Sequence, residues 1–462
     1  MSEAVRQLKL AGRKTNLVEI RIDGLSRIDF QQLLRKPRPR VIITNRRTTE
    51  GGKFSGTANE QYDILSTAIR CGADFIDVEA SWGDGLITSL RNHHPGTNII
   101  VSHHDGKQTP ELLETLYEDM RKIGGDIIKI AATAIDSSDN MRMFNLLGRA
   151  KAENQKMIAL CMGEYGQAGR VLGGMFGSFL TYASLGDTEC TAPGQITFDE
   201  LIKIYGVDRL DRRTRIFGLV GNPVSHSKGV YFHNRIFRRK KVNALYLNFL
   251  TSDLRGFLDS FRQILHGFSV TMPFKEHIVP FLDSIETDAM ELGAVNTVLV
   301  NKGKFIGCNT DLPAIASLLA RKTSLRGKRV TVMGTGGTAR TAAYAAIAHH
   351  AQPTIVGRSP EKARALAHEL GCEWTGFENL REMKTDILIN GTPVGMHPGK
   401  ERELVQKTFF RKGMVVFDAV ASPAITRLLA SAESAGCAII TGVELFKRQA
   451  QLQSRLFLRH IA

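Results

Sequence analysis

The sequence has no CxxC pair, and its six cysteines (Cys71, Cys161, Cys190, Cys308, Cys372 and Cys437) are scattered along 462 residues. That spacing suggests neither a zinc site nor a disulfide framework, and it suits buried thiols in a reducing cytoplasm. No apolar run is long enough to span a bilayer, and the opening MSEAVRQLKLAGRK has no apolar signal core. A membrane partner is therefore not expected. Internal repeats and low-complexity segments are absent. Acidic residues are the minority, 46 against 61 Lys and Arg, for a formal charge of +15. The basic residues are dispersed, as in RLDRRTR and FRRKK. No aromatic–basic module or helix-turn-helix accompanies them, so nucleic acid is not the expected partner. Anionic small substrates and a phosphate-rich cofactor account for part of the excess through steering.

What is present describes a soluble globular α/β protein. Hydrophobic residues make up 43% and charged residues 23%, the balance of a globular chain. The length exceeds one ordinary core and predicts two domains. Near-continuous apolar runs at LVEIRID, RVIIT, FIDVE, NIIVSH, DIIKIA, MIALCM and SFLTYA alternate with helical patterns. An eighth short strand is required around Gln195. Eight buried parallel strands imply a compact (β/α)8 barrel over residues 1–209. Such a barrel demands active-site residues at strand ends, where Glu19, Arg21, Arg46, Glu79, His104, Lys129 and Met162 stand. The charged stretch YGVDRLDRRTR is the linker candidate. Residues 210–462 then divide into an α/β substrate lobe (214–312), a Rossmann-like lobe (313–440) and a terminal helix (441–462) returning to the substrate lobe.

In the first half, a lysine inside an apolar strand is costly unless paired or neutral. Desolvation and nearby cations are expected to lower the pKa of Lys129 and make it a nucleophile toward ketones. The imine that forms acts as an electron sink. His104 can then serve as base and acid, Glu50 can hold the imidazole, and Arg170 can clamp a carboxylate. Each of these residues also has an ordinary structural reading. His103 points the other way along its strand and is read as a bystander.

VEIRID, RRTTEGG, VSHHD, DIIKIA, MGEYGQAGR, FGSFLTYA and TAPGQ occur in the order seen in type I 3-dehydroquinate dehydratases, which residues 17–201 resemble. The resemblance implies a Schiff base on Lys129 without any cofactor, with His104 and Glu50 in support. It implies substrate contacts from Glu19, Arg21, Arg46, Arg170, Thr191 and Gln195. Thr191 stands where the family has serine, Gly169 precedes Arg170, and the family's aromatic residue falls at Tyr182.

In the second half, MGTGGTAR follows the strand KRVTV and opens the helical pattern TAAYAAIA. Gly334, Gly336 and Gly337 suit a pyrophosphate at a helix N-terminus, although a plain βα turn reads the same way. PTIVGRS ends in Arg358 and Ser359, where NAD would want an acid and a 2′-phosphate wants arginine, so NADP is expected. Lys275 and Asp311 can supply a proton to a ketone oxygen during hydride transfer, or form an ordinary salt bridge.

GNPVSHS, VTMPFK, GAVNT, GCNTD, GTGGTAR, NGTPVGM, DAV and GVELFKRQA follow the order of shikimate dehydrogenases, which the chain resembles from about Arg215 onward. The resemblance implies catalysis by Lys275 and Asp311. It assigns substrate contacts to Ser227, Thr271, Asn296 and Gln449, and cofactor contacts to Gly334, Thr335, Gly336, Gly337, Thr338, Arg358, Ser359, Thr392 and Gly442. Gly229 stands where the family has a second serine for the carboxylate, and Ala421 where it has tyrosine. Losing a hydrogen bond to a charged group costs about 1.5–3 kcal/mol, so a weakened or altered substrate site is expected. Lys228 offers compensating charge.

Together the resemblances imply a lyase that dehydrates 3-dehydroquinate, fused to an NADPH-dependent oxidoreductase that reduces 3-dehydroshikimate to shikimate. The alternatives are a second half acting on quinate or another cyclohexene carboxylate, a regulator, and a scaffold that channels intermediate. Oligomerisation remains open.

Overall fold

The computed structural model describes residues 2–186, 194–225, 227–397 and 404–461. Strands β1 (Leu17–Arg21), β2 (Arg40–Thr44), β3 (Phe75–Glu79), β4 (Asn98–Asp105), β5 (Ile127–Thr133) and β6 (Lys156–Met162) form a parallel sheet in chain order. Their Ile and Val side chains are buried, as a strand covered on both faces requires. Helices connect them, and Ala58–Arg70 starts on a reciprocal cap between Thr57 and Glu60. This is the wall of a β/α barrel with its chemistry at the strand ends.

The seventh and eighth strands differ from expectation. Phe179 donates its N–H to Met157 O (2.7 Å), and Ser184 makes an isolated parallel bridge with Thr197. No ladder develops among the described residues. Side chains take up backbone groups there: Ser178 Oγ donates to Leu180 O, and Thr181 Oγ1 to Arg170 O, both at 2.8 Å.

The chain divides into two compact units, Met1–Thr214 with Val224–Phe261, and Arg215–Pro223 with Arg262–Ala462. Strand β7 (Arg215–Gly221) belongs to the second. The first unit also carries the helix Gly229–Arg239, strand β8 (Ala244–Leu250) and the helix Leu254–Phe261. That piece is clasped to the loops after β5 and β6. Asp136 accepts from Thr251 Oγ1 (2.7 Å) and Ser252 N (3.1 Å). Ser137 Oγ donates to Leu250 O, and Tyr165 Oη meets Ser252 Oγ at 3.1 Å.

In the second unit, β9 (Leu265–Val270), β10 (Ser284–Ile285), β11 (Thr297–Asn301) and β12 (Lys304–Cys308) join β7 in a mixed sheet, ordered β10-β12-β11-β9-β7. A parallel sheet follows, made of β13 (Arg329–Met333), β14 (Gln352–Gly357), β15 (Glu373–Gly376), β16 (Ile387–Asn390), β17 (Val415–Asp418) and β18 (Ala438–Ile440). Its order, β15-β14-β13-β16-β17-β18, is that of a dinucleotide-binding sheet, with the chain reversing direction across the sheet between β13 and β16. The terminal helix Gly442–Ile461 packs on the mixed sheet: Phe457 meets Phe217 at 4.7 Å, and His460 Nε2 contacts Val300 O at 2.7 Å. Buried Gln453 Nε2 donates to Thr297 Oγ1 (3.0 Å) and Asn296 O (3.2 Å).

Replacing that amide removes the donor but leaves its acceptors buried. Gln453→Leu is expected to cost about 1–3 kcal/mol, measured as a lower urea midpoint for the transition of this unit.

Candidate active sites

The barrel site is built on a period-two pattern. Asp77 and Glu79 alternate in FIDVE and face the same side of β3. Arg46 follows β2 and is 2% exposed. Its guanidinium meets Asp77 at 2.7 Å, Glu79 at 3.1 Å and Glu50 at 3.8 Å, and donates to Ser102 Oγ at 2.8 Å. Beyond Arg46 the chain doubles back, with Gly52 N donating to Arg47 O and Phe54 N to Arg46 O. That reversal carries Glu50 to β4, where Oε2 accepts from His104 N (2.9 Å) and shares a bond with His104 Nδ1 (3.2 Å).

Lys129 lies mid-strand in β5, 4% exposed. Its Nζ donates to Asp77 Oδ2 (2.9 Å) and Glu19 Oε1 (3.3 Å) and sits 4.5 Å from the Tyr182 ring centre. The expected lowering of its pKa is overturned. Burial alone would lower it, but Asp77 and Glu19 hold it well above the ordinary lysine value. Lys129 is therefore stored as an ammonium. Asp77 is correspondingly kept far below the usual carboxylate range: burial opposes this, and Arg46 and Lys129 outweigh it. His104 is pushed well below its ordinary value by burial and by the Arg46 and Lys129 charges, so the imidazole is neutral. Glu50 is pushed up to about 7 by burial, against Arg46 and with help from Glu79.

Of the other residues expected here, Arg21 forms a two-pronged pair with Asp23 (2.8 and 2.9 Å), whose carboxylate also accepts from Arg46 N and Lys53 N. Arg170 is buried and Gln195 half-buried. Glu19 and Tyr182 line a cavity of about 590 Å³ together with Arg21 and Gln195. Thr191 lies outside the described residues. His103 is half-buried.

In the second unit Lys275 Nζ donates to Asp311 Oδ2 at 2.6 Å. Asp311 opens the helix Asp311–Ala320. Asn296 Oδ1 accepts from Thr310 N and Thr297 Oγ1 (both 2.8 Å), and Nδ2 donates to Thr310 Oγ1 (3.0 Å), so it is fixed beside Asp311. Gln449 stands one turn before Gln453 on one helical face, and its buried Oε1 lacks a hydrogen-bond partner among the described residues. That leaves an acceptor for a ligand hydroxyl. Thr271 follows β9, its N–H bonded to Val220 O. Ser227 belongs to the first unit. Lys228 and Ala421 are exposed.

The dinucleotide fit rests on backbone. Gly334 has φ +114°, and a Cβ there would come within 3.2 Å of Gly391 and 3.1 Å of Thr392 Cγ2. Gly336 faces open space at the start of the helix Gly337–Ala348, whose free N–H groups suit a pyrophosphate. Gly357 closely approaches Thr335. Arg358 is exposed at the end of β14, and Ser359 caps the helix Pro360–Leu370. Gly442 admits no Cβ, which would fall 2.2 Å from Val420 O. A Cβ on Gly337 would meet Lys275 Cδ at 3.4 Å, so the lysine lies directly against the glycine loop.

Comparison with known proteins supports both halves. Residues 1–212 match the type I 3-dehydroquinase family, 219–298 the shikimate dehydrogenase substrate binding domain, and 317–434 the shikimate / quinate 5-dehydrogenase family. The bifunctional 3-dehydroquinate dehydratase/shikimate dehydrogenase of Arabidopsis thaliana, a chloroplastic protein, is 36% identical over 96% of this chain and 77% of its own length. The chain belongs to the bifunctional 3-dehydroquinate dehydratase/shikimate dehydrogenase family. The AroDE shikimate biosynthesis protein of Chlamydia pneumoniae is 29% identical over 98% of this chain and 92% of its own. A shikimate dehydrogenase solved with NADP+ superposes with a TM-score of 0.51 at 32% identity, covering 54% of this chain and 91% of the other.

Within this family frame, sequence reasoning missed Asp77, Ser102, Asp23, Thr310 and Gln453. Asp77 was detectable: two acids in alternation on an otherwise apolar strand must share one face. The others act through contacts that no pattern in the chain marks, Ser102 from β4 and Gln453 from within the terminal helix.

Asp77 supports two buried cations, so Asp77→Asn is expected to cost about 3–5 kcal/mol. A depressed carboxylate contributes fully above its ordinary pKa of 3.8, and the contribution fades as pH falls below that. Urea titrations should show the gap to wild type narrowing in acid.

Proposed function

We propose that the first half dehydrates 3-dehydroquinate to 3-dehydroshikimate and the second reduces that product to shikimate with NADPH, as a step toward chorismate and the aromatic amino acids. The reading assigns residues 1–209 to the dehydratase and 210–462 to the dehydrogenase, with lobes at 214–312 and 313–440 and the helix 441–462. The observation that carries it is a buried lysine ammonium beside a neutral, carboxylate-held imidazole in one half, with a lysine–carboxylate pair against a glycine loop in the other. Five cysteines are free among the described residues and no helix is long and apolar enough to cross a membrane, which fits a cytoplasmic setting.

Dehydration starts with the ammonium of Lys129, which must first shed a proton. The free amine adds to the ring ketone, and loss of water gives a protonated imine. His104 removes the proton from the adjacent carbon, and the electron pair moves into the imine. The same imidazole then protonates the departing hydroxyl, so one water leaves and a C=C bond forms. Hydrolysis of the imine returns Lys129. Arg21, Arg46, Arg170, Glu19, Thr191 and Gln195 are the proposed substrate contacts, with Arg46 already engaged by carboxylates in the free site.

In the second half NADPH supplies a hydride to the carbonyl carbon. Lys275 gives a proton to the carbonyl oxygen, and Asp311 keeps the ammonium in place. Ser227, Thr271, Asn296 and Gln449 are the proposed substrate contacts. The glycine loop, Arg358, Ser359, Thr392 and Gly442 would hold the cofactor, Arg358 supplying the charge a 2′-phosphate calls for. Gly229 and Ala421 keep quinate as the second reading, so shikimate and quinate belong in one substrate panel.

Borohydride added with 3-dehydroquinate should leave a covalent adduct on the Lys129 peptide, and Lys129→Ala should give neither adduct nor turnover. If Lys129→Ala dehydrates at the wild-type rate, the first assignment is wrong. Lys275→Ala should reduce 3-dehydroshikimate about 10²–10⁴-fold more slowly; an unchanged rate removes its role. As Glu50 gains a proton it stops accepting from Nδ1. The kcat/KM of dehydration should therefore fall as pH drops through about 7, and Glu50→Gln should abolish that limb.

A further inference from the structure

Glu50 has two oxygens, and its bonds to His104 occupy only Oε2. Oε1 accepts from Ser81 Oγ at 3.1 Å, and Ser81 Oγ accepts from Arg47 Nη1 at 3.3 Å. A serine hydroxyl has one proton and two lone pairs. Accepting from the guanidinium therefore leaves that proton for Glu50. The row Arg47, Ser81, Glu50 is polarised one way, with each donor aimed toward the carboxylate.

The turn that carries Ser81 is fixed in place. Ala80–Trp82 is a short 3-10 turn directly after β3. Glu79 ends that strand and binds both neighbours: Oε1 accepts from Arg47 N and Oε2 from Trp82 Nε1, both at 3.0 Å. The Arg47 guanidinium lies 4.0 Å from the Trp82 ring centre, a cation–π contact. Phe54 meets the same residue with ring centres 6.5 Å apart. The turns after β2 and β3 are thus clamped together, and Glu50 and Ser81 meet across the join. The Glu50 side chain is 7% exposed and Ser81 is exposed, so the serine stands between that carboxylate and solvent.

The other charges around Glu50 are engaged elsewhere. Arg46 Nη1 stands 3.8 Å away, beyond hydrogen-bond reach, and its guanidinium is committed to Asp77, Glu79 and Ser102. Lys129 is held by Asp77 and Glu19. The Glu79 charge and burial both disfavour a second carboxylate here. Among the described residues, Ser81 and His104 are the groups that donate to the Glu50 side chain.

We propose that Ser81 is a positioning residue for dehydration: its hydroxyl keeps Glu50 ionised and oriented, and Glu50 keeps the His104 proton on Nδ1, leaving Nε2 as the base. This rests on the proposed dehydratase reading, in which His104 removes the substrate proton. A protonated Glu50 would donate to Nδ1 and move the ring proton to Nε2, the tautomer that cannot accept. A hydrogen bond to the charged form favours that form, so losing the Ser81 hydroxyl moves Glu50 ionisation to higher pH.

The test uses the full chain and two readouts. One is the pH profile of kcat/KM for 3-dehydroquinate. The other is the NMR titration of Glu50 in protein carrying isotopically labelled glutamate, assigned by the signal lost in Glu50→Gln. Ser81→Ala should move both upward from about 7 by about half a unit to one unit. On the acid side the variant should be about three- to tenfold slower, and the deficit should shrink as pH rises. Ser81→Thr keeps the hydroxyl and should restore the wild-type profile. Adding Ser81→Ala to Glu50→Gln should slow dehydration no further. An unmoved Glu50 titration in Ser81→Ala, a deficit equal at every pH, or a further loss in the double variant overturns the inference and leaves the dehydratase reading intact. A shifted Glu50 titration in a protein that does not dehydrate 3-dehydroquinate would overturn that reading and leave the Ser81–Glu50 assignment standing.

Discussion

The contact between Lys129 and Asp77, 2.9 Å long and shut away from water, is the constraint around which the barrel site is arranged. A buried ammonium is tolerated only with a carboxylate, and a buried carboxylate that also faces Arg46 must answer two cations. From this pair the remaining charges follow. Arg46 recruits Glu79 and Glu50, Glu50 fixes His104, and the two cations keep that imidazole neutral. The lysine is thus held as an ammonium in the same site as a neutral imidazole.

The second site relies on backbone proximity instead. Gly337 brings the segment bearing Lys275 against the dinucleotide loop, and the Asn296–Thr310 bonds seat Asp311 at its helix start. Gln453 ties the terminal helix to the same asparagine. Gln453 therefore acts on residues 156 and 157 positions earlier, joining a strand end to a distant helix.

The fold class, the order of the first six barrel strands and the Lys275–Asp311 pair were legible in the sequence because they rest on periodicity and motif order. FIDVE and DIIKIA read as strands, and VTMPFK with GCNTD as a lysine and a carboxylate that meet. The protonation of Lys129 was not legible, since it depends on which carboxylates the barrel brings within 3.3 Å. SFLTYA looked like a strand by composition, yet it makes a single backbone bond to β6 and no ladder forms among the described residues. The departure at Gly229 was visible as a missing hydroxyl.

The clasp between Asp136 and Thr251 bears on how such a chain can be taken apart. The charged stretch from Tyr205 to Arg215 is a boundary in the sequence, but it is not where the packing ends. A chain severed after Thr214 would give a barrel whose Asp136 carboxylate and Ser137 hydroxyl had lost their partners. It would also leave a second fragment with bared backbone at Leu250. The segment after Thr214 is thus tied to the loops that follow β5 and β6 by hydrogen bonds as well as by the chain itself.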